Sequence, residues 1–127
     1  MKRKSVRIYS FTGTGSCLAL KLAEKLKQEG YVCTGYTVAR FAEDKRLQRL
    51  NDGWKQEIGA SWGEHALVFI GAAGIAIRAI APFVKDKFTD PPVIVLDEKG
   101  TFAIPLLSGH VGGGVTLSLI HISEPTR

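Results

Sequence analysis

The side chains of this 127-residue chain that could move protons or hold an anion gather in its second half: Arg78, the acid pair Asp97-Glu98, and His110. His110 lies in the run Ser108-Gly109-His110-Val111-Gly112-Gly113-Gly114, directly after an apolar stretch. Glycines around it let backbone approach a ligand closely, and an imidazole can donate or accept a proton at neutral pH or ligate a metal. Asp97 and Glu98, one stretch upstream, could partner it in general acid–base chemistry. The sequence Asp97-Glu98-Lys99-Gly100 also suits a hairpin turn, and for Glu98 taken alone the turn is the favoured reading.

Arg78 is the only charged residue between Glu64 and Lys85. A guanidinium among small and branched apolar residues must reach water or meet a carboxylate, because an unpaired buried charge is strongly unfavourable. Pairing within the fold to Asp86, Asp90 or Asp97 is one reading, and a bidentate grip on a ligand carboxylate is the other. Gly71-Ala72-Ala73-Gly74 joins an apolar run to the helix that carries Arg78. Thr12-Gly13-Thr14-Gly15-Ser16 has the same position after the first strand, and its backbone N–H groups and hydroxyls suit an anion. A plain strand-to-helix turn capped by a hydroxyl uses the same residues, and the spacing matches neither the Walker nor the GxGxxG pattern.

These residues need elements to position them. Residues 6–11 alternate as a strand, and Leu18, Leu22 and Leu26 recur at helical spacing beside Ala19 and Ala23, with Gly30 as the stop. Residues 31–38, rich in β-branched and aromatic side chains, read as a second strand. The charged stretch 39–51 reads as loop with a short helical piece. Trp54, Ile58 and Trp62 again fall at helical spacing after a cap at Asn51 or Asp52, although Gly59 weakens that helix by about 1 kcal/mol relative to Ala. Residues 66–70 form a continuous apolar run, as a strand buried on both faces does. A short helix over 75–81 closed by Pro82, a strand at 93–96, and a last strand at 102–107 that Pro105 confines to an edge or bulge complete the chain. Strand–helix alternation predicts an α/β fold: three layers, α/β/α, around a mostly parallel sheet, with a ligand crevice at the carboxyl ends of the strands.

With 45% hydrophobic and 23% charged residues the chain falls in the ordinary globular class. Its 17 Lys and Arg against 12 Asp and Glu give a net charge of +5, which attracts anions such as phosphate or a polycarboxylate. The cations are scattered apart from Lys2, Arg3 and Lys4, with no aromatic interleaving, so no nucleic acid is expected as a partner. No apolar run reaches the ~20 residues of a membrane span. The basic amino terminus is followed by a stretch broken by Arg7 and Ser10, unlike a signal peptide, so no membrane association and a cytoplasmic location are expected. Cys17 and Cys33 lack metal-site spacing and read as reduced packing residues; no metal site is expected.

The stretch GIAIRAIAPFVKDKFTDPPVIVLDEKGTFAIPLLSGHVGG closely resembles a characteristic region of the CbiG family of cobalamin-biosynthesis proteins, the cobalt-precorrin-5A hydrolases. The likeness is close over residues 71–113, and the first strand, its Gly-Thr loop and the following helix are similar to the start of that family. It implies a cytoplasmic enzyme of anaerobic B12 synthesis that opens a δ-lactone on a cobalt-containing macrocycle and releases the extruded meso carbon, with its methyl, as acetaldehyde. It implies a small-molecule corrinoid as partner and no resident cofactor, since cobalt travels in the substrate; a homodimer is left open. On this resemblance His110 is base or acid, with Glu98 or Asp97 as its partner. Substrate binding is assigned to Thr12, Gly13, Thr14, Gly71, Gly74, Arg78, Lys85, Ser108, Gly109, Gly112 and Gly113, with backbone donors around Gly109 and Gly112 for the oxyanion.

The chain departs from that family in two ways. Family members run to more than twice this length and carry a further domain. After Gly113 the pattern changes, and the end, LIHISEPTR, resembles translated sequencing-adaptor read-through. Residues 1–113 are therefore expected to form the N-terminal and central α/β domain and 114–127 a non-native tail, with the C-terminal domain missing and His121 no ligand. Two rivals from other classes remain: a flavodoxin-like module holding a phosphate of FMN at residues 12–16, and a non-catalytic corrinoid-binding fragment.

Overall fold

Side chains in β1 (Ser5–Ser10) alternate between two faces, Val6 and Ile8 entering one apolar cluster and Tyr9 the other. That division runs through the whole fold. On the first face α1 (Gly13–Gln28) lays down Ala19, Leu22, Ala23 and Leu26; on the second, α2 (Trp54–Ala60) contributes Ile58 and α3 (Ala73–Ile80) contributes Ala76, Ala79 and Ile80. The expected three layers are present in the structure, a computed structural model that describes residues 5–42 and 46–107.

The six-stranded sheet runs in the order β3 (Leu47–Arg49), β2 (Val32–Thr37), β1, β4 (Ala66–Ile70), β5 (Val93–Leu96), β6 (Ala103–Leu107). All pairs are parallel except β5 with β6. Every residue of β4 and β5 is buried, which is why both read as unbroken apolar runs. β6 is the edge strand, and its register slips beside Pro105, which has no N–H to give to the ladder. α1 ends in a Schellman turn: Gly30, at φ 91°, donates to the Lys27 carbonyl at 3.1 Å, and the Tyr31 N–H reaches the Leu26 carbonyl at 3.0 Å.

Several local expectations are corrected. Residues 39–51 hold the expected short helical piece, as a 3-10 turn (Ala39–Phe41), and also β3, where loop was expected; only Leu47 of β3 is buried, so no periodicity marks it. Asn51 does not cap α2. Its Oδ1 accepts the Gly53 N–H at 2.9 Å, and the helix start has no side-chain cap. Trp62 lies beyond the end of α2 and donates its indole N–H to the buried Asp90 at 2.9 Å. Gly59 has a packing reason, since a Cβ there would sit 2.2 Å from the Phe83 ring. Cys17 is exposed and so is no packing residue, whereas Cys33 packs half-buried against the first cluster, where burial pushes its thiol up to about 11.

Candidate functional site

The strand order reverses between β1 and β4, because the chain moves outward from β1 to β2 on one side and from β4 to β5 on the other. Such a reversal opens a crevice at the carboxyl ends of the strands. Three loops meet there, one each from β1, β4 and β5, carrying Thr12, Gly71 and Asp97-Glu98.

Thr12 is the N-cap of α1, in extended conformation. Its Oγ1 accepts the Gly15 N–H at 3.0 Å and donates its proton to Glu98 Oε2 at 2.5 Å. A buried set of hydroxyls holds this loop from beneath. Ser16 donates to the Thr12 carbonyl at 2.8 Å and Ser10 to the Tyr36 carbonyl at 3.1 Å. Each hydroxyl has one proton. The 2.8 Å contact between Ser16 and Thr37 must therefore be donated by Thr37.

Gly71 has φ 75°, and a Cβ there would stand 2.6 Å from Glu98 Cγ. Only glycine combines that backbone with room for the Glu98 side chain. The two acids then divide their work. Asp97 Oδ1 accepts the Phe102 N–H at 2.6 Å and closes the β5–β6 hairpin, while Glu98, half-buried, reaches across to Thr12. The hairpin reading holds for the pair, with Glu98 in the turn itself and its side chain directed to Thr12.

α3 begins without a side-chain cap. Arg78 is exposed on it, with Nη1 folded back to within 3.4 Å of where a Cβ on Gly74 would sit. Among the described residues no carboxylate pairs with it, so the three intramolecular partners are corrected. Asp86 accepts from Phe88 and Thr89, Asp90 from Trp62 and the Lys85 backbone, and Asp97 from Phe102.

Lys85 does not join the site. Its backbone N–H is bound by Asp90 at 2.9 Å, in the segment where the Pro92 carbonyl accepts the Leu67 N–H at 2.9 Å. That places Lys85 near the amino end of β4, at the opposite end of the strands from Glu98. Thr12, Gly71 and Glu98 are brought together; Gly13 is half-buried and Thr14 exposed on the first turn of α1; Gly74 is in the first turn of α3 and Arg78 in its last, with its guanidinium folded back toward Gly74. Ser108, Gly109, His110, Gly112 and Gly113 lie outside the described residues. Among the described residues no group of three or more His, Cys, Asp or Glu could hold a metal ion, and no helix is long and apolar enough to cross a membrane.

Sequence reasoning missed one part of the crevice. A hollow of about 520 Å³ opens beside the Thr12 loop, lined by Phe11, Leu50, Trp54, Lys55 and Ile75 among others. Trp54 and Phe11 read as helix core and strand residues, and no local pattern marks them as a wall.

The family described as "Cobalamin synthesis G N-terminal" matches residues 58–121. The chain belongs to the cobalamin synthesis G family, in its N-terminal region. A cobalt-precorrin-5A hydrolase of Salmonella typhimurium is 38% identical over 128 residues, which is 93% of this chain and 32% of that protein. One of Priestia megaterium is 50% identical over 52 residues, 41% of this chain and 14% of that protein. The crystal structure of a cobalamin biosynthesis protein G homolog from Sulfolobus solfataricus superposes with a TM-score of 0.68 at 26% identity, over 93% of this chain and 34% of that one. The chain spans about a third, or less, of the length of these relatives. The family match takes in Gly71, Arg78, Asp97 and Glu98.

Proposed function

We propose that the chain is the N-terminal part of a hydrolase of anaerobic cobalamin synthesis, which opens the δ-lactone of cobalt-precorrin-5A with release of acetaldehyde to give cobalt-precorrin-5B. The observation that carries this reading is the Thr12–Glu98 pair at the strand-reversal crevice of a chain that belongs to this family. Lactone opening adds water across the acyl C–O bond, and the alkoxide that leaves takes a proton; the freed hydroxyl then gives up its proton and forms the aldehyde carbonyl as the C–C bond breaks, its electron pair passing into the conjugated macrocycle. A carboxylate held with one oxygen on a hydroxyl has the other oxygen left for that water. Among the described residues Glu98 Oε1 makes no hydrogen bond, and it is the atom assigned this role.

Arg78, exposed and unpaired among the described residues, grips a peripheral carboxylate of the substrate in this reading. His110 supplies the second proton-transfer group, with backbone N–H groups near Gly109 and Gly112 for the oxyanion. Cobalt travels in the corrinoid, with no cofactor resident in the protein, and the reaction runs in the cytoplasm.

The test is acetaldehyde release by the complete enzyme, read through alcohol dehydrogenase and NADH. Glu98→Gln keeps the size of the side chain and removes its basicity, so turnover should fall by about 10²–10⁴-fold, the usual contribution of one general acid or base. Turnover within threefold of the parent enzyme would remove Glu98 from the chemistry.

A further inference from the structure

We infer that the hollow beside the Thr12 loop seats one edge of the macrocycle, a flat apolar ring face laid against Phe11 and Trp54 with a carboxylate arm reaching Lys55. This rests on the reading of a corrinoid substrate given above and adds where on the chain that substrate lies. The hollow, about 520 Å³, is in the range of small-molecule sites, about 300–1,000 Å³. Two of its lining residues adjoin in sequence the loops that flank the acid: Phe11 directly precedes Thr12, and Ile75 directly follows Gly74.

Its wall is rigid and aromatic. Trp54 stands 5.8 Å from Phe11 and 5.6 Å from Tyr9, and Tyr9 is itself stacked between Tyr36 at 5.2 Å and Phe69 at 5.0 Å. A ring braced in this way offers its free surface to a ligand at little cost in conformational entropy. Ile75 stands 36% exposed at the same rim, an apolar side chain in water that a bound ring would cover. Lys55 Nζ lies 5.6 Å over the Trp54 ring, so a ligand ring laid there displaces the ammonium, which can then swing to a carboxylate arm. Asp52 also lines the hollow and opposes an anionic arm. The two charges therefore give opposite signatures for a carboxylated ligand.

The experiment is equilibrium dialysis of this chain against two dicyano-cobalt corrins, read by their visible absorbance. One carries free peripheral carboxylates, and the other has them fully esterified. Both should bind. Lys55→Gln should weaken the free acid by about 2–5-fold, as loss of an exposed ion pair does, and leave the ester unchanged. Asp52→Asn should tighten the acid by a similar factor. Trp54→Leu should weaken both ligands by about tenfold through the lost stacking face. If Trp54→Leu does not fold, the two charge variants decide, because both residues are exposed. Binding of both corrins by the parent chain with no response to either charge variant overturns this seat and leaves the corrinoid reading standing. No binding of either corrin by the parent chain overturns both.

Discussion

Replacing Gly71 by Ala should cost roughly 3 kcal/mol, and more than a third of that should disappear when Glu98 is removed first. Two terms make up the loss. A non-glycine residue at φ 75° carries about 1–2 kcal/mol of left-handed strain. The new Cβ would lie 2.6 Å from Glu98 Cγ, closer than real contacts allow, so the side chain must swing away and release the Thr12 hydroxyl. A hydrogen bond to a charged group contributes about 1.5–3 kcal/mol, and the half-burial of Glu98 puts this one at the low end. In a Glu98→Ala background the obstruction is gone and only the strain remains, so Gly71→Ala should then cost about 1–2 kcal/mol. Urea unfolding of the four proteins of this cycle, fitted with a common slope, gives the coupling directly. Independent sites add within about 0.3–0.5 kcal/mol. Additivity within that margin would refute the claim that Gly71 is glycine because of Glu98.

Three smaller outcomes follow from the same structure. Gly59→Ala should destabilise by about 1–2 kcal/mol in urea despite the gain of about 1 kcal/mol in helix propensity, since the methyl would enter the Phe83 ring; a gain in stability would contradict that packing. Burial raises the Cys33 thiol from 9.0 to about 11, which lowers its thiolate fraction about 100-fold, so iodoacetamide at pH 8 should modify exposed Cys17 and spare Cys33, as mass spectrometry of the peptides can read. Burial first, and then the Arg7 charge, hold His65 below its ordinary 6.5. The folded chain therefore binds fewer protons than the unfolded one, and stability present above pH 6.5 is lost as the pH falls; His65→Gln should flatten the drop in urea midpoint between pH 7 and 5.

How much of this could be read beforehand depends on how local each signal is. α1 carries its cap, its apolar stripe and its Gly30 stop within one stretch, and β4 and β5 announce burial on both faces through composition alone. β3 has three residues and one buried side chain, too few for any period to show. The Thr12–Glu98 bond spans 86 positions, so nothing near either residue marks it. The division between Asp97 and Glu98 follows from which side chain faces the hairpin N–H of Phe102, a matter of turn geometry that the dipeptide itself leaves open. Lys85 falls within the stretch that resembles the family, seven residues after Arg78. The eight residues of α3 rise about 12 Å, and with the 3-10 turn Ala81–Phe83 they return the chain to the amino ends of the strands. In an α/β unit, a helix that starts at the crevice ends away from it.

Proton counting at Thr12 separates the rival uses of its loop. The hydroxyl accepts from Gly15 and donates to Glu98, so its one proton is committed and a bound anion would find no donor there. A phosphate on the Gly13 and Thr14 N–H groups, as the flavodoxin-like reading requires, would find the Thr12 proton already committed and would lie beside the Glu98 carboxylate. Two anions in that space repel, whereas one carboxylate at the amino end of α1 is favoured by the helix dipole. Thr12 is therefore better described as the residue that positions Glu98 than as a substrate ligand. The α3 side differs, because its start has no side-chain cap and Arg78 has no carboxylate partner among the described residues. The crevice is thus acidic on the α1 side and cationic on the α3 side, and a ligand that brings a carboxylate to Arg78 places its remaining atoms before an acid already held in place.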